Sequence, residues 1–449
     1  MNFLLRKIRA FFWTFQSLFK RHKKLIISGF FFGLCTAFII WKSFPVLKNI
    51  LPRERKISGI VGLFEPGNLP VSIQKKISFG LTDTAENGEA IPAIAAVWKT
   101  DQDGKRYFFY LQKDLFWHDG EPFTAYDVNY NFKDVFINAA DKNTLKIELA
   151  DKFSPLPTLL SKPLFKKGLV GLGEYKVLNI RLKEGRVERL ILKPSANNSS
   201  LPLLEYRFFP DTKSAVTAFK LGELDTVEGM FLNKYLEEEN NIKIAEEAQT
   251  NWVLTIFFNL QRDLLSDKDA RQALSYAAPN LEGKAVYSPI AESSWAYNGQ
   301  VKQYKFNLDL AKNMMGNDEE IASASAELNL FTFPEYVNEA QKIAENWNSL
   351  GLKTTVRVTY VLPSEFDAFL GLLEIPPDPD QYQLWHSTQD KTNISSYQNP
   401  KIDKLLEDGR KTTSTEERIK IYGDFQRYLL DDAPAKFLVN PILYTVSRR

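Results

Sequence analysis

From residue 57 onward the sequence predicts an α/β fold, held outside a membrane by an N-terminal anchor. Three observations carry that expectation. First, Tyr107–Phe132 reads as a strand dense in aromatics, an Asp119–Gly120 turn and a capped helix. Second, residues 326–361 alternate strand, amphipathic helix and strand, a unit that implies a right-handed crossover and a parallel pair. Third, Leu25–Trp41 carries no charge and follows a run of cations. At 1.5 Å per residue it covers roughly 25 Å, enough for a short bilayer span.

The anchor sets the topology. Arg6, Lys7, Arg9, Lys20, Arg21, Lys23 and Lys24 precede the apolar run; Lys42, Lys48, Arg53, Arg55 and Lys56 follow it. The excess before the run places residues 1–24 in the cytoplasm, 25–41 in the membrane and 42–56 as a tether. Against a cleaved signal, no small-residue cleavage site follows the run. Against lipidation at Cys35, the preceding residue is Leu34. Of the chain's 57 Lys+Arg and 55 Asp+Glu, 12 and one fall in residues 1–56, leaving 45 basic and 54 acidic residues beyond. The outer part is therefore acidic, which argues against nucleic acid as a partner. Cys35 is the chain's single cysteine, so the outer part has no disulfide and must be held by a packed core.

Elements then follow in order. Ile57–Leu63 alternates as a strand, Ser72–Leu81 reads as a short helix, and Ile91–Trp98 leads through the Asp101–Gly104 hairpin to the aromatic strand at Tyr107. Phe116 and Trp117 enter the Asp119–Gly120 turn, and Pro122 stops the strand. Thr124 is placed as an N-cap with Asp127 in the first turn, and Val128, Phe132 and Val135 share one helical face. Lys142–Leu149, Val177–Pro194 and Leu201–Phe209 are strand patterns; Ser214–Leu221 is a helix closed by Gly222. Asn251–Asn259 is a near-continuous apolar run, as suits a strand buried on both faces. Helices are expected at 269–277, 337–350, 402–406 and 416–430, and a closing strand at 437–446.

The turn segment resembles the signature of family 5 extracellular solute-binding proteins, the oligopeptide and dipeptide receptors of ABC importers. Phe116, Asp119, Gly120, Pro122, Thr124, Ala125, Asp127 and Val128 match it, with one extra residue after Phe116. Gly222, Glu223 and Asp225 resemble a further turn of that family, and Asn259, Arg271, Ala273 and Ala277 its strand-to-helix connection. The resemblance implies a two-lobed periplasmic-binding-protein-like fold of the peptide-receptor type. Lobe one would comprise 57–258 plus 436–449 and lobe two 259–435, with crossing strands near Asn259 and Phe437. It also implies a peptide or other small ligand between the lobes, delivered to ABC permease subunits, with no cofactor.

The site expectation centres on Pro376–Trp385, a stiff acidic loop of two prolines and two aspartates. The resemblance places an ammonium-binding carboxylate here, and either Asp378 or Asp380 can serve. Trp385 is the expected aromatic wall, and Trp295 and Tyr297 resemble the family's cleft loop. No catalytic group is expected: Ser387 sits beside His386 without an oxyanion-hole motif, and His22, His118 and His386 form no metal-ligand pattern. The competing reading is a membrane-anchored surface enzyme or interaction module on the same fold.

Overall fold

In the computed structural model, the described residues are 54–196, 200–230, 241–316 and 327–449. Trp13, 21–25, 28–29, 31–38 and Lys42 are also described. Residues 21–25, 28–29 and 31–38 are helical, but no helix among the described residues is long and apolar enough to cross a membrane. The expected 25–41 span is only partly covered: 26, 27, 30 and 39–41 lie outside the described residues, as do most of 1–24 and 42–53.

Two large sheets dominate the rest. The first has seven strands in the order Ile242–Ala248, Ile442–Arg448, Thr226–Met230, Arg55–Val61, Leu203–Phe209, Arg186–Pro194 and Tyr175–Lys183. The second has six, in the order Lys284–Ala285, Ala435–Asn440, Trp252–Phe258, Ala368–Glu374, Glu327–Thr332 and Lys353–Val358. Glu327–Thr332 pairs parallel with both Lys353–Val358 and Ala368–Glu374, as the strand–helix–strand pattern implied. Helix Val337–Asn348 supplies the crossover and buries Ala340, Ile343, Ala344 and Trp347 against the sheet. The apolar run at 252–258 is central in this sheet and buried on both faces, which is why it lacks polar alternation.

The chain passes between the large sheets twice. It leaves the first at 249–251 and returns at Pro441. The two passages lie side by side: the Gln249 amide donates to the Pro441 carbonyl (2.9 Å), and Asn440 Nδ2 donates to the Trp252 carbonyl (2.8 Å). Strand Trp252–Phe258, expected in lobe one, is thus hydrogen-bonded within the second sheet, and so is Ala435–Asn440. Asn259 and Arg271 sit just beyond. Asn259 Nδ2 donates to the Phe366 carbonyl, and buried Arg271 donates to the carbonyls of Leu265, Ser266, Asp432 and Ala433. Both tie loop ends together.

A four-stranded antiparallel sheet carries the signature turn: Ala95–Thr100, Arg106–Leu111, Thr144–Leu149 and Val135–Asp141. The turn is as expected. Gly120 has φ +93°, its amide donates to the Trp117 carbonyl, and Asp119 Oδ1 accepts the Glu121 amide. Phe116 and Pro122 pair across it. The long helix expected after Thr124 does not form. Asp127 Oδ2 accepts both the amide and the hydroxyl of Thr124, but a single 3-10 turn, Ala125–Asp127, follows. Asn129 Oδ1 takes the Asn131 amide, and Asn131 and Asp134 are left-handed. Short polar side chains here compete for the backbone and break the helix. Val135 instead opens a strand.

Candidate functional site

The acidic loop leaves strand Ala368–Glu374 and runs beneath two C-terminal helices. Helix Pro400–Lys411 is capped by Asn399, whose Oδ1 accepts the Lys401 and Ile402 amides. Helix Thr415–Asp432 is capped by Ser414, whose Oγ accepts the Glu417 amide. On the second helix Tyr422, Phe425 and Leu429 are buried in one apolar face, and Arg418 lies on that same face. The two helices approach closely at Gly409, where an added Cβ would stand 2.7 Å from the Tyr422 ring.

Arg418 is the hub. Its Nη2 and Nη1 donate to Asp378 Oδ1 (2.6 Å) and Oδ2 (3.1 Å), a bidentate pair between side chains 8% and 10% exposed. Its Nε donates to the Gly409 carbonyl, and its guanidinium stands 5.0 Å from the Trp295 ring centre and 5.4 Å from that of Tyr422. Burial draws the Arg418 pKa down, but the Asp378 carboxylate outweighs it and the net shift is upward. Asp380 is treated alike. Arg410 Nε donates to its Oδ2 (2.8 Å), and the Tyr382 amide to its Oδ1. The Arg410 guanidinium lies 4.0 Å from the Tyr382 ring centre and 5.2 Å from that of Phe153. Burial raises the Asp380 pKa, although Arg410 opposes it.

This doubly paired layer faces the part of the molecule that bears the signature turn. The Trp295 amide donates to the Asn87 carbonyl (3.1 Å). Gly88, at φ +87°, packs on Pro377 so closely that a Cβ would lie 2.1 Å from its carbonyl oxygen. The Ser154 amide and hydroxyl both donate to the Arg410 carbonyl, and the hydroxyl also to that of Thr412.

Beside the layer, joined to it through Ile375 and the 285–298 loop, lies a cavity of about 250 Å³. Thr250, in the 249–251 passage, and Asn440, the last residue of the strand that leads into Pro441, both line it. Tyr287, Ser293, Tyr297 and Gln303 supply uncharged polar groups, and Lys284 with Glu292 forms an ion pair at 2.5 Å. Burial, then Glu292, raises the Tyr297 pKa. Behind Tyr287 stands Lys436, 6% exposed, its Nζ donating to the Tyr304 carbonyl and lying 5.5 Å from the Tyr287 ring centre. Burial alone lowers its pKa from 10.5 to about 8.

Of the expected site residues, the structure gathers Asp378, Asp380 and Trp295, and it sets Tyr297 in the adjoining cavity. Trp385 is elsewhere. It is 1% exposed and packs with Phe257 and Phe437 in the core under the second sheet, so it cannot form a wall for ligand. Arg410 and Arg418 were not anticipated. The signal for Arg418 was its spacing: residues 418, 422, 425 and 429 form one helical stripe, and a cation there must find an acid.

Lys436 gives one expected result here. Between about pH 8 and 10.5 the unfolded chain holds a proton that the folded chain lacks, so this group's contribution to stability rises with pH across that window. Below it the charged amine is held at a cost. Lys436→Met should therefore raise unfolding free energy at pH 7 by on the order of 2 kcal/mol, discounted for the orphaned Tyr304 carbonyl. The gain should shrink by pH 9.5. Urea unfolding at both pH values is the check, and destabilisation at pH 7 would contradict it.

The model for bacterial extracellular solute-binding proteins, family 5, matches residues 89–393, well over half the chain. The chain belongs to that family. It is 21% identical to the probable D,D-dipeptide-binding periplasmic protein DdpA of Escherichia coli K12, covering 90% of this chain and 91% of that one. It is 22% identical to the oligopeptide-binding protein AppA of Bacillus subtilis, covering 84% and 83%. Among solved structures, Campylobacter jejuni NikZ in complex with Ni(L-His) aligns with a TM-score of 0.72 at 23% identity, over 89% of this chain and 95% of that one. Bacillus subtilis AppA in complex with a nonapeptide aligns at 0.68 and 20%, over 88% and 95%. The fold is accordingly the two-lobed α/β fold of these binding proteins.

Proposed function

We propose that this family 5 protein captures a peptide-sized solute at the junction of its lobes and hands it to an ABC importer. The observation that carries the reading is the cavity built on the two passages between sheets. A ligand seated against Thr250 and Asn440 touches the hinge itself, and it stabilises whichever lobe arrangement completes its contacts. The relatives' names support a peptide as the ligand class, and the NikZ complex supports a small metal chelate as the second. Tyr297 lines the cavity, and the acidic loop meets it at Ile375; Trp295, Asp378 and Asp380 lie in the paired layer beside it. The uncharged run 25–41 behind seven cations supports tethering of residues 57–449 outside the cytoplasmic membrane.

The test is native mass spectrometry of the full chain isolated from the membrane fraction. A stoichiometric adduct, released unchanged on unfolding, is the expected result. Adduct-free protein from the soluble fraction, or an adduct released in chemically altered form, would refute the proposal and favour the enzyme or interaction-module alternative.

A further inference from the structure

We propose that Lys436 is a positioning residue for the ligand cavity: its buried ammonium holds the Tyr287 ring in the cavity wall, so capture weakens when that charge is lost. The proposal rests on the cavity being the ligand site. Tyr287 is one of its lining residues. Among the described residues, its hydroxyl makes no hydrogen bond and its ring joins none of the buried apolar clusters. What the ring meets is two cations, Lys436 Nζ at 5.5 Å and Lys305 Nζ at 6.0 Å. Lys305 is exposed, so water dilutes its attraction; Lys436 is 6% exposed and keeps it. With Val286, Ile290, Ala291 and Ile375, the ring forms the apolar part of the wall, which suits an aliphatic or aromatic group of the ligand.

Lys436 is a costly residue to keep. It stands on an inner strand of the six-stranded sheet, opposite Ile256. Among the described residues no carboxylate pairs with it: the amine donates to the Tyr304 carbonyl, and burial lowers its pKa to about 8. The charges nearby are committed to each other. Lys284, one strand over, pairs with Glu292, and Lys302, 5.3 Å from the Tyr304 ring centre, with Asp431. Tyr276 packs on the Tyr304 ring at 5.0 Å. A buried cation without a counter-charge lowers stability, and such groups beside a cavity are where function is found. When the amine is neutral, the attraction for Tyr287 is gone and the ring can leave the wall. A ligand packed on Tyr287 therefore binds the protonated form better, and its binding favours protonation in return. Between pH 7 and 9 the protonated fraction falls about tenfold, and capture should weaken by up to about that factor.

The experiment has two arms, both on the full chain. In the first, 4-fluorophenylalanine at position 287, which cannot titrate, is followed by fluorine NMR from pH 6.5 to 9.5 without any ligand. Its resonance should shift with a midpoint near pH 8, and Lys436→Met should abolish that shift. In the second, an equimolar mixture of synthetic tripeptides built from Ala, Leu and Phe is offered at pH 7 and pH 9, and bound peptide is quantified by mass spectrometry. Titration of the peptides is common to both chains and cancels in their ratio. The ratio of parent to Lys436→Met capture should be about tenfold at pH 7 and close to one at pH 9. Lys436→Arg keeps the charge and should capture at both pH values as the parent does at pH 7; if it does not fold, Lys436→Met carries the test. A flat resonance, or equal capture by parent and Lys436→Met at pH 7, would overturn the proposal while leaving the binding site standing. A titrating resonance with no peptide captured by the parent would overturn the role in capture and count against a peptide site as well.

Discussion

Arg418→Met is expected to lower the unfolding free energy by about 3–5 kcal/mol, because it strands a buried carboxylate. Asp378 is 7% exposed and keeps only the Asp380 amide once the guanidinium is gone. Three further ties go with it: the Gly409 carbonyl loses its donor, and Trp295 and Tyr422 lose the cation between them. The pair itself is a different quantity from the cost of breaking it. Two charges removed together leave nothing unpaired, so Asp378→Asn with Arg418→Met should recover most of the loss. Urea unfolding of the parent, both single variants and the double variant gives the coupling directly. A loss below about 1 kcal/mol for Arg418→Met would mean that water reaches Asp378 and that the corner is open.

Local chemistry was the legible part of this protein. The aromatic strand at 107–111, the Asp119–Gly120 turn and the parallel unit around helix Val337–Asn348 all follow from residue spacing and turn chemistry that act over a few residues. The helix after Thr124 failed for an equally local reason, because the asparagines at 129 and 131 could have been weighed against the apolar spacing of Val128, Phe132 and Val135. What could not be read was pairing at a distance. Residues 378 and 418, or 380 and 410, lie on different elements, and nothing in a single sequence states that they meet. The loop therefore read as two free acids. The run at 251–259 announced a buried strand but not which sheet would bury it, so the passage between sheets was expected near Asn259 and lies at 249–251.

Trp385 shows how the same ambiguity attaches to a single side chain, and its removal should have a comparably large effect. Beside an acidic loop it reads as a wall for ligand; in the structure it is a wall of the core. Its ring lies 6.4 Å from that of Phe257 and 6.2 Å from that of Phe437, two residues on neighbouring strands of the six-stranded sheet. Its Nε1–H donates to Gln381 Oε1 (2.8 Å), and Gln381 in turn donates to the Pro289 carbonyl, which ties the acidic loop to the 285–298 loop. Trp385→Ala removes the largest group in that cluster and orphans a buried amide oxygen. The expected cost is about 3–5 kcal/mol. Trp385→Phe keeps most of the apolar volume but not the donor, and should cost roughly 1–3 kcal/mol. Unfolding followed by far-ultraviolet circular dichroism avoids the change in tryptophan signal. If Trp385 serves the core alone, the folded fraction of Trp385→Phe will hold its co-purified adduct as the parent does. A variant that melts like the parent but loses the adduct would return Trp385 to the ligand and displace it from the core.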